Sequence, residues 1–507
     1  MLLTSPNILI PSLLLFTVLF IVGRIRSPLS RIPGPWYTPF TSLPIKWHEF
    51  RANRTRHVHA LHLRYGPVVR IAPNEVSFSS GAAVKEIYCS GGSGYDKTEF
   101  YDLFTVYGRR TMFSTLNKED HARRKRILAD RYANSNVMKA ESMHGIEESS
   151  SRFLEKVRES AESSSSSSGG SSQSQSQSLD LYITLHSYAF DCASHHLFHP
   201  FGANSLQKQE DEDIMREVTF DSSLQNRLVR YYSPGLHAVV GRVMSLFGAT
   251  PRETPLADRF VLDNSVRGLD ARPFTLLSRL SDKVWEMDSE AIAAECLDHM
   301  AAGIDTTGDA LCFLMWELSQ PRSMRYQEAL RAELQGGTTG AEEEGWDKLP
   351  YLDAVVMEGL RCFPAIPMSL PRYVPQGGRT IDGYFVPGRT IVSAQAYSVH
   401  RTDTGVFPDP DRFDPERWLS RKEGGGDAER KRLFFAFSSG GRGCVGKHLA
   451  LAEMKVLLRD VYSRFGTVPG EGMSEGDMEM DDQLISSRPA GQRCLLRFVP
   501  RGGETGA

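Results

Sequence analysis

A single cysteine set among glycines constrains this chain more than any other feature. Residues 434–453 read FFAFSSGGRGCVGKHLALAE, and Phe437, Gly440, Arg442, Cys444 and Gly446 fit the pattern F-x-x-G-x-R-x-C-x-G. Gly440, Gly441, Gly443 and Gly446 surround the thiol. Glycine lets a backbone take φ > 0 and lets a flat ligand approach closely. Residues 445–465 read as a long amphipathic helix. The thiol therefore falls at a helix N-terminus, where the dipole and free N–H groups favour the thiolate. Such a segment suits a thiolate held against a metal ion. A glycine-rich turn around an inert cysteine would explain a lone G-x-x-C, but not five fixed positions together.

The remaining cysteines point nowhere else. The chain has 507 residues and seven cysteines (Cys89, Cys192, Cys296, Cys312, Cys362, Cys444 and Cys494), with no C-x-x-C pair. That argues against a zinc ribbon, a redox dithiol or a disulfide scaffold. With 40% hydrophobic and 24% charged residues the chain is neither disordered nor fibrous, and its formal charge of -3 argues against a nucleic-acid binder. Its length allows about three domains or one large fold.

Residues 2–23 carry no charge, and residues 8–22 are nearly all apolar. About 20 apolar residues cross a bilayer as a helix. Arg24, Arg26 and Arg31 follow and no basic residue precedes, so the amino end is expected in the lumen and the rest in the cytosol. A cleaved signal peptide would carry its positive charge first. Residues 1–23 are thus expected to be a membrane anchor, 24–45 a Pro-rich linker and 46–507 one domain. Within that domain, 68–72 and 75–79 read as strands of a hairpin. Residues 118–160 read as helix, and 179–198 as an amphipathic helix. The serine- and glutamine-rich run at 162–178 cannot bury apolar surface and is expected to be a disordered loop. Residues 336–345 read as another loop. Residues 370–440 are rich in Pro, Gly and short β runs. The fold class is therefore mainly α with a smaller β-rich region.

Four further motifs stand upstream of the cysteine. Residues 289–318 read as one long helix with Ala302-Gly303-Ile304-Asp305-Thr306-Thr307 at its middle. Glycine and threonine weaken a helix interior, and a threonine hydroxyl can bond back to the carbonyl four residues earlier. Weak residues at such a point suggest function over stability. Glu358 and Arg361 form E-x-x-R, which places them on one helix face. FDPERW follows at 413–418, and His121-Ala-Arg-Arg-Lys-Arg126 opens a basic helix. Taken singly, these are a packing notch, an exposed ion pair and a solvated basic face.

Together, and in this order, the motifs resemble the cytochrome P-450 family over almost the whole chain. The resemblance implies a triangular haem domain preceded by one transmembrane helix. It implies haem b with Cys444 as the axial iron ligand. Arg442 would pair with a propionate and Phe437 would pack beside the sulfur, in a loop shaped by Gly440 and Gly446. His121 and Lys125, where arginine is usual, would reach the propionates, as would Arg372. Glu358, Arg361 and Arg417 would lock the region behind the haem. Thr306 would order water and Asp305 relay protons from solvent.

The implied function is a haem-thiolate monooxygenase that inserts one oxygen atom from O2 into a lipophilic small molecule. No flavin or nicotinamide fingerprint is evident, so an NADPH-cytochrome P-450 reductase, with cytochrome b5 as a second donor, would supply electrons. Arg123, Arg124, Lys447 and Lys455 are expected to dock it, with the enzyme single-pass in the endoplasmic reticulum membrane. Residues 370–419 are similar to fungal microsomal enzymes, which favours a tailoring step in secondary-metabolite biosynthesis. Detoxification of foreign compounds and lipid or sterol hydroxylation are the alternatives. An O2-independent isomerase or dehydratase usually alters the acid–alcohol pair, which Asp305 and Thr306 keep here. A non-catalytic haem carrier would show a degraded oxygen motif.

Overall fold

The computed structural model describes residues 6–89, 94–163, 178–248, 252–283, 287–336, 345–419 and 426–500. The loops expected at 162–178 and 336–345 lie almost wholly outside these. Helices dominate, as the composition of the segments implies, and small sheets flank them.

The helix Ser289–Ser319 is the axis of the core. It crosses the helix Leu181–Phe198 closely, and glycine permits the approach. A Cβ on Gly303 would lie 2.9 Å from Ala193 Cβ, and one on Gly308 would meet the His186 ring at 2.7 Å. Leu181–Phe198 is not amphipathic as expected: every residue but Ile183 and His195 is buried. Ala140–Ser163 packs on its other side, so it has no solvent face.

The five-stranded sheet is assembled from distant segments. Val68–Ala72 pairs antiparallel with Glu75–Phe78, the expected hairpin. Glu75–Phe78 then runs parallel to Ile391–Ala394. Arg372–Tyr373 joins next, and Asp96–Lys97 closes the edge with Lys97 opposite Arg372. The apolar faces of Val76, Phe78, Val392 and Ala394 pack with Phe407 and Phe435, which ties the sheet to the segment leading into the cysteine loop.

A helix forms at Pro6–Arg26 with Leu13, Leu14, Leu15, Phe16 and Leu19 exposed. Among the described residues, however, no helix is long and apolar enough to cross a membrane. The expected spanning helix is to that extent unsupported.

Candidate active site

A cavity of about 600 Å³ lies between the middle of Ser289–Ser319 and the cysteine loop. Ala302, Asp305 and Thr306 line one side, and Phe437, Gly443, Cys444 and Gly446 line the other. The loop is closed by Cys444 N–H donating to Phe437 O at 2.9 Å. Gly440 has φ 70°, and a Cβ there would stand 2.1 Å from Tyr88 O, so only glycine fits. The following helix is Lys447–Tyr462, with Gly446 at its N-cap. The Cys444 side chain is open to the cavity but deep within the protein. Burial raises its thiol above the ordinary value, while the Gly446 and Lys447 amides and the Lys125 and Lys447 ammonium groups oppose that rise.

Cationic side chains gather at one end of the cavity. Lys97, His121, Arg372 and Arg442 all line it. Arg372 Nη1 donates to Tyr101 Oη at 2.7 Å. Arg442 Nη2 donates to Asp96 Oδ1 at 3.2 Å, but its Nε and Nη1 are buried without a partner. Lys97 Nζ donates to Phe113 O and sits 4.4 Å from the Tyr101 ring. Burial, then the neighbouring Arg372 and Arg442, hold Lys97 well below its usual value. The same two causes, burial and neighbouring cations, bring Arg442 to about 10 and His121 to about 3. These four basic groups face two carboxylates, Asp96 and Asp298, and such a surplus of buried donors is the chemistry of an anion site. Lys125 is placed differently. Its Nζ donates to Gly441 O at 3.0 Å and Gly443 O at 3.2 Å, so it clamps the loop's carbonyls. Sequence reasoning missed Lys97, which no local motif marks; only the strand pairing sets it beside Arg372.

At the other end, Thr306 Oγ1 donates to Ala302 O at 2.7 Å, the back-bond its position allows. Asp305 Oδ1 accepts from Thr219 Oγ1 at 3.2 Å. Burial lifts Asp305 to about 7, against the opposing pull of His186. His186 is fully buried, with Nδ1 2.6 Å from Tyr182 O and Nε2 3.5 Å from Asp309 Oδ1. Thr307 Oγ1 donates to Glu453 Oε2 at 3.1 Å, and burial raises Glu453 to about 8.

The E-x-x-R pair is not an exposed surface pair. Glu358 and Arg361 are fully buried, with Arg361 Nε 2.8 Å from Glu358 Oε2 and Nη2 2.9 Å from Oε1. Arg417 Nε reaches Glu358 Oε1 at 2.9 Å, and Trp418 Nε1 reaches Oε2 at 2.9 Å. His400 carries this cluster to the cysteine loop. Phe435 N–H donates to His400 Nε2 at 2.8 Å, so Nε2 is the bare nitrogen and Nδ1–H donates to Arg361 O at 3.0 Å. Burial brings His400 to about 3, which keeps it neutral. No local pattern marks this histidine.

The expected basic docking face is partly used up inside the fold. Arg124 Nη1 lies 3.5 Å from the buried Glu295, and Lys455 pairs with Asp353 at 2.7 Å with only 12% of its side chain exposed. Arg123 remains exposed beside Asp120. Lys447 stands 5.8 Å over the Phe437 ring.

Residues 33–495 match the family described as Cytochrome P450. The chain is 29% identical over 491 residues to cytochrome P450 monooxygenase stcB of Emericella nidulans, covering 93% of this chain and 89% of that protein. It is 29% identical over 509 residues to cytochrome P450 monooxygenase orf2 of Aspergillus niger, covering 97% and 98%. With cytochrome P450 monooxygenase tazI of Aspergillus terreus it shares 29% over 503 residues, covering 96% and 97%. The family match takes in the cysteine loop, the Glu358–Arg361 helix and the central helix together, and it makes this chain a member of the cytochrome P450 family, monooxygenases that carry haem on a cysteine thiolate.

Proposed function

We propose that this monooxygenase oxidises a lipophilic small molecule in a tailoring step of fungal secondary metabolism. The observation that carries the reading is the cavity itself, with Cys444 open to one side and Thr306 to the other. Apolar residues such as Phe104, Phe113, Ile366 and Leu484 line it, which favours a lipophilic substrate.

The residues present fit haem. Orphaned donors on Arg442, beside Lys97, Arg372 and His121, suit two carboxylates, and glycine at Gly443 and Gly446 lets a flat group lie against the loop. Cys444 would hold the iron, with Phe437 beside the sulfur and Lys125 fixing the loop. When bound, haem supplies the activation of O2 and its transfer to substrate. The chain's own part is to hold the group, keep the cavity dry and deliver protons. Asp305, poised by burial, passes a proton inward, and Thr306 orients it. Glu358, Arg361 and Arg417 brace the loop from behind through His400.

Residues 46–507 form the haem domain in this reading, with 24–45 a linker and 1–23 an anchor to the endoplasmic reticulum membrane. Exposed Trp36 and Trp47 support a membrane-facing side. So does the helix Pro234–Ser245, which has no buried residue and exposes Leu236, Val239 and Val243. An NADPH-cytochrome P-450 reductase, aided by cytochrome b5, supplies electrons at the face that bears Arg123 and Lys447.

Co-expression with a reductase tests this. Product should require NADPH and O2, and the reduced protein with carbon monoxide should show the thiolate spectrum, lost in Cys444→Ser. A normal thiolate spectrum in that variant overturns the ligand. Metabolites compared between host strains with and without the gene identify the substrate. Carbonate-resistant membrane binding, lost on deleting residues 1–26, tests the anchor.

A further inference from the structure

We propose that the cavity selects a lipophilic substrate bearing a carboxylate, which three arginines at its outer end receive. The inference rests on the monooxygenase reading and names its substrate class.

Arg227, Arg252 and Arg488 come from three separate segments, and all line the cavity around Asp221. Arg252 forms an ion pair with the Asp221 carboxylate, and Arg227 Nη1 stands 3.6 Å from it. Arg488 Nη1 donates only to the Asp221 backbone carbonyl, at 2.8 Å. Its Nε is buried with no hydrogen-bond partner, and its nearest carboxylate oxygen, on Asp481, is 3.8 Å away. The neighbouring Glu217 is already committed: its carboxylate accepts the Leu256 and Ala257 amides at 3.0 Å. Among the described residues, the three guanidinium groups thus face two carboxylates, Asp221 and the more distant Asp481. Arg227 Nη2 also donates to Leu103 O and Arg252 Nη2 to Glu217 O, whereas Arg488 Nε makes no hydrogen bond, and leaving a buried donor unsatisfied is costly. The planar fork of arginine is matched best by a carboxylate, which it binds through two parallel hydrogen bonds.

The cluster is also tied to the reacting end. Asp221 N–H donates to Thr219 O at 2.9 Å, and the Thr219 hydroxyl holds Asp305. Between the two ends the wall is apolar, with Leu103, Phe104, Phe113 and Ile366. A substrate whose carboxylate sits on Arg488 and Arg227 would lay its hydrocarbon along this wall toward Thr306. The arginines would then fix which carbon is presented, and the apolar wall would supply most of the affinity.

The test uses the full-length holoenzyme with 1-pyrenebutanoic acid and its methyl ester. Binding is read by the haem absorbance shift and by quenching of pyrene fluorescence. The acid should bind about tenfold or more tighter than the ester, as charge-assisted hydrogen bonds imply. Arg488→Gln and Arg227→Gln should each erase most of that preference while leaving ester affinity unchanged. Equal affinity for acid and ester in the parent protein overturns the proposal, as does a preference that survives both substitutions. If either variant fails to fold, the more exposed Arg252→Gln gives the same reading. A chain that lacks the thiolate spectrum fails the haem reading instead, and fluorescence anisotropy of the acid and ester on that protein still decides the carboxylate preference.

Discussion

The Thr219 hydroxyl donates to Asp305 Oδ1 across 3.2 Å, so the end of the helix Gln209–Thr219 is fastened to the middle of Ser289–Ser319 at the residue that lines the cavity. Burial raises Asp305 to about 7, while the Thr219 bond favours its ionised form. Below that value Asp305 carries a proton to give; above it the proton is gone. Product formed per O2 consumed should therefore fall as pH rises through neutrality. Asp305→Asn should abolish that limb and lower turnover about 100-fold, the scale of general acid catalysis. Thr219→Val, which removes a bond to the ionised form, should shift the limb to higher pH. A flat profile in the parent enzyme would count against Asp305 as the relay.

Glu358 is a buried acceptor for Arg361, Arg417, Trp418 and the Asp414 amide at once. Glu358→Ala strands two guanidinium groups inside the protein, at a cost of about 3–5 kcal/mol. Little folded protein should then be recovered. Arg417→Lys keeps a charge but loses the fork that also reaches Pro408 O and Arg412 O. Its cost should be about 1–3 kcal/mol. Thermal unfolding of the two variants, in the same buffer as the parent, checks the order.

Gly440→Ala and Gly441→Ala should differ sharply although the residues are adjacent. Gly440 holds a positive φ and its Cβ would strike Tyr88 O, whereas a Cβ on Gly441 meets nothing within 4 Å. The strained position should lose about 1–3 kcal/mol or more, and haem occupancy with it. The open one should load haem as the parent does. Equal occupancy in both variants would mean that the loop is not held by this approach to Tyr88.

What the sequence disclosed and what it hid divide along the range of the interactions. The cysteine loop, the Asp305–Thr306 pair and the Glu358–Arg361 turn are local patterns whose residues lie within a few positions of each other. Lys97, His400 and the arginines around Asp221 matter only because distant segments meet, through a strand register in the first case and the packing of separate segments in the others. Periodicity likewise could not show that Leu181–Phe198 is covered on both sides. A run of basic residues could not show that Arg124 and Lys455 turn inward to carboxylates.

Lys97 offers the sharpest separation of a structural role from a haem-holding one. Its ammonium group is buried among Arg372 and Arg442, and burial holds it well below 10.5 against the opposing charge of Asp298. The unfolded chain keeps that proton up to its ordinary value, while the folded chain without haem releases it earlier. Each rise in pH between the two values therefore favours folding of the apoprotein. Lys97→Met removes the buried charge, so the apoprotein should melt higher at neutral pH and its pH dependence should flatten. The holoenzyme should move the other way. There the ammonium would pair with a propionate, and losing a charged hydrogen bond of about 1.5–3 kcal/mol should speed haem loss about tenfold or more. Transfer of haem to an acceptor protein measures that rate. A variant that melts higher without haem and releases haem at the parent rate would show that Lys97 only burdens the fold.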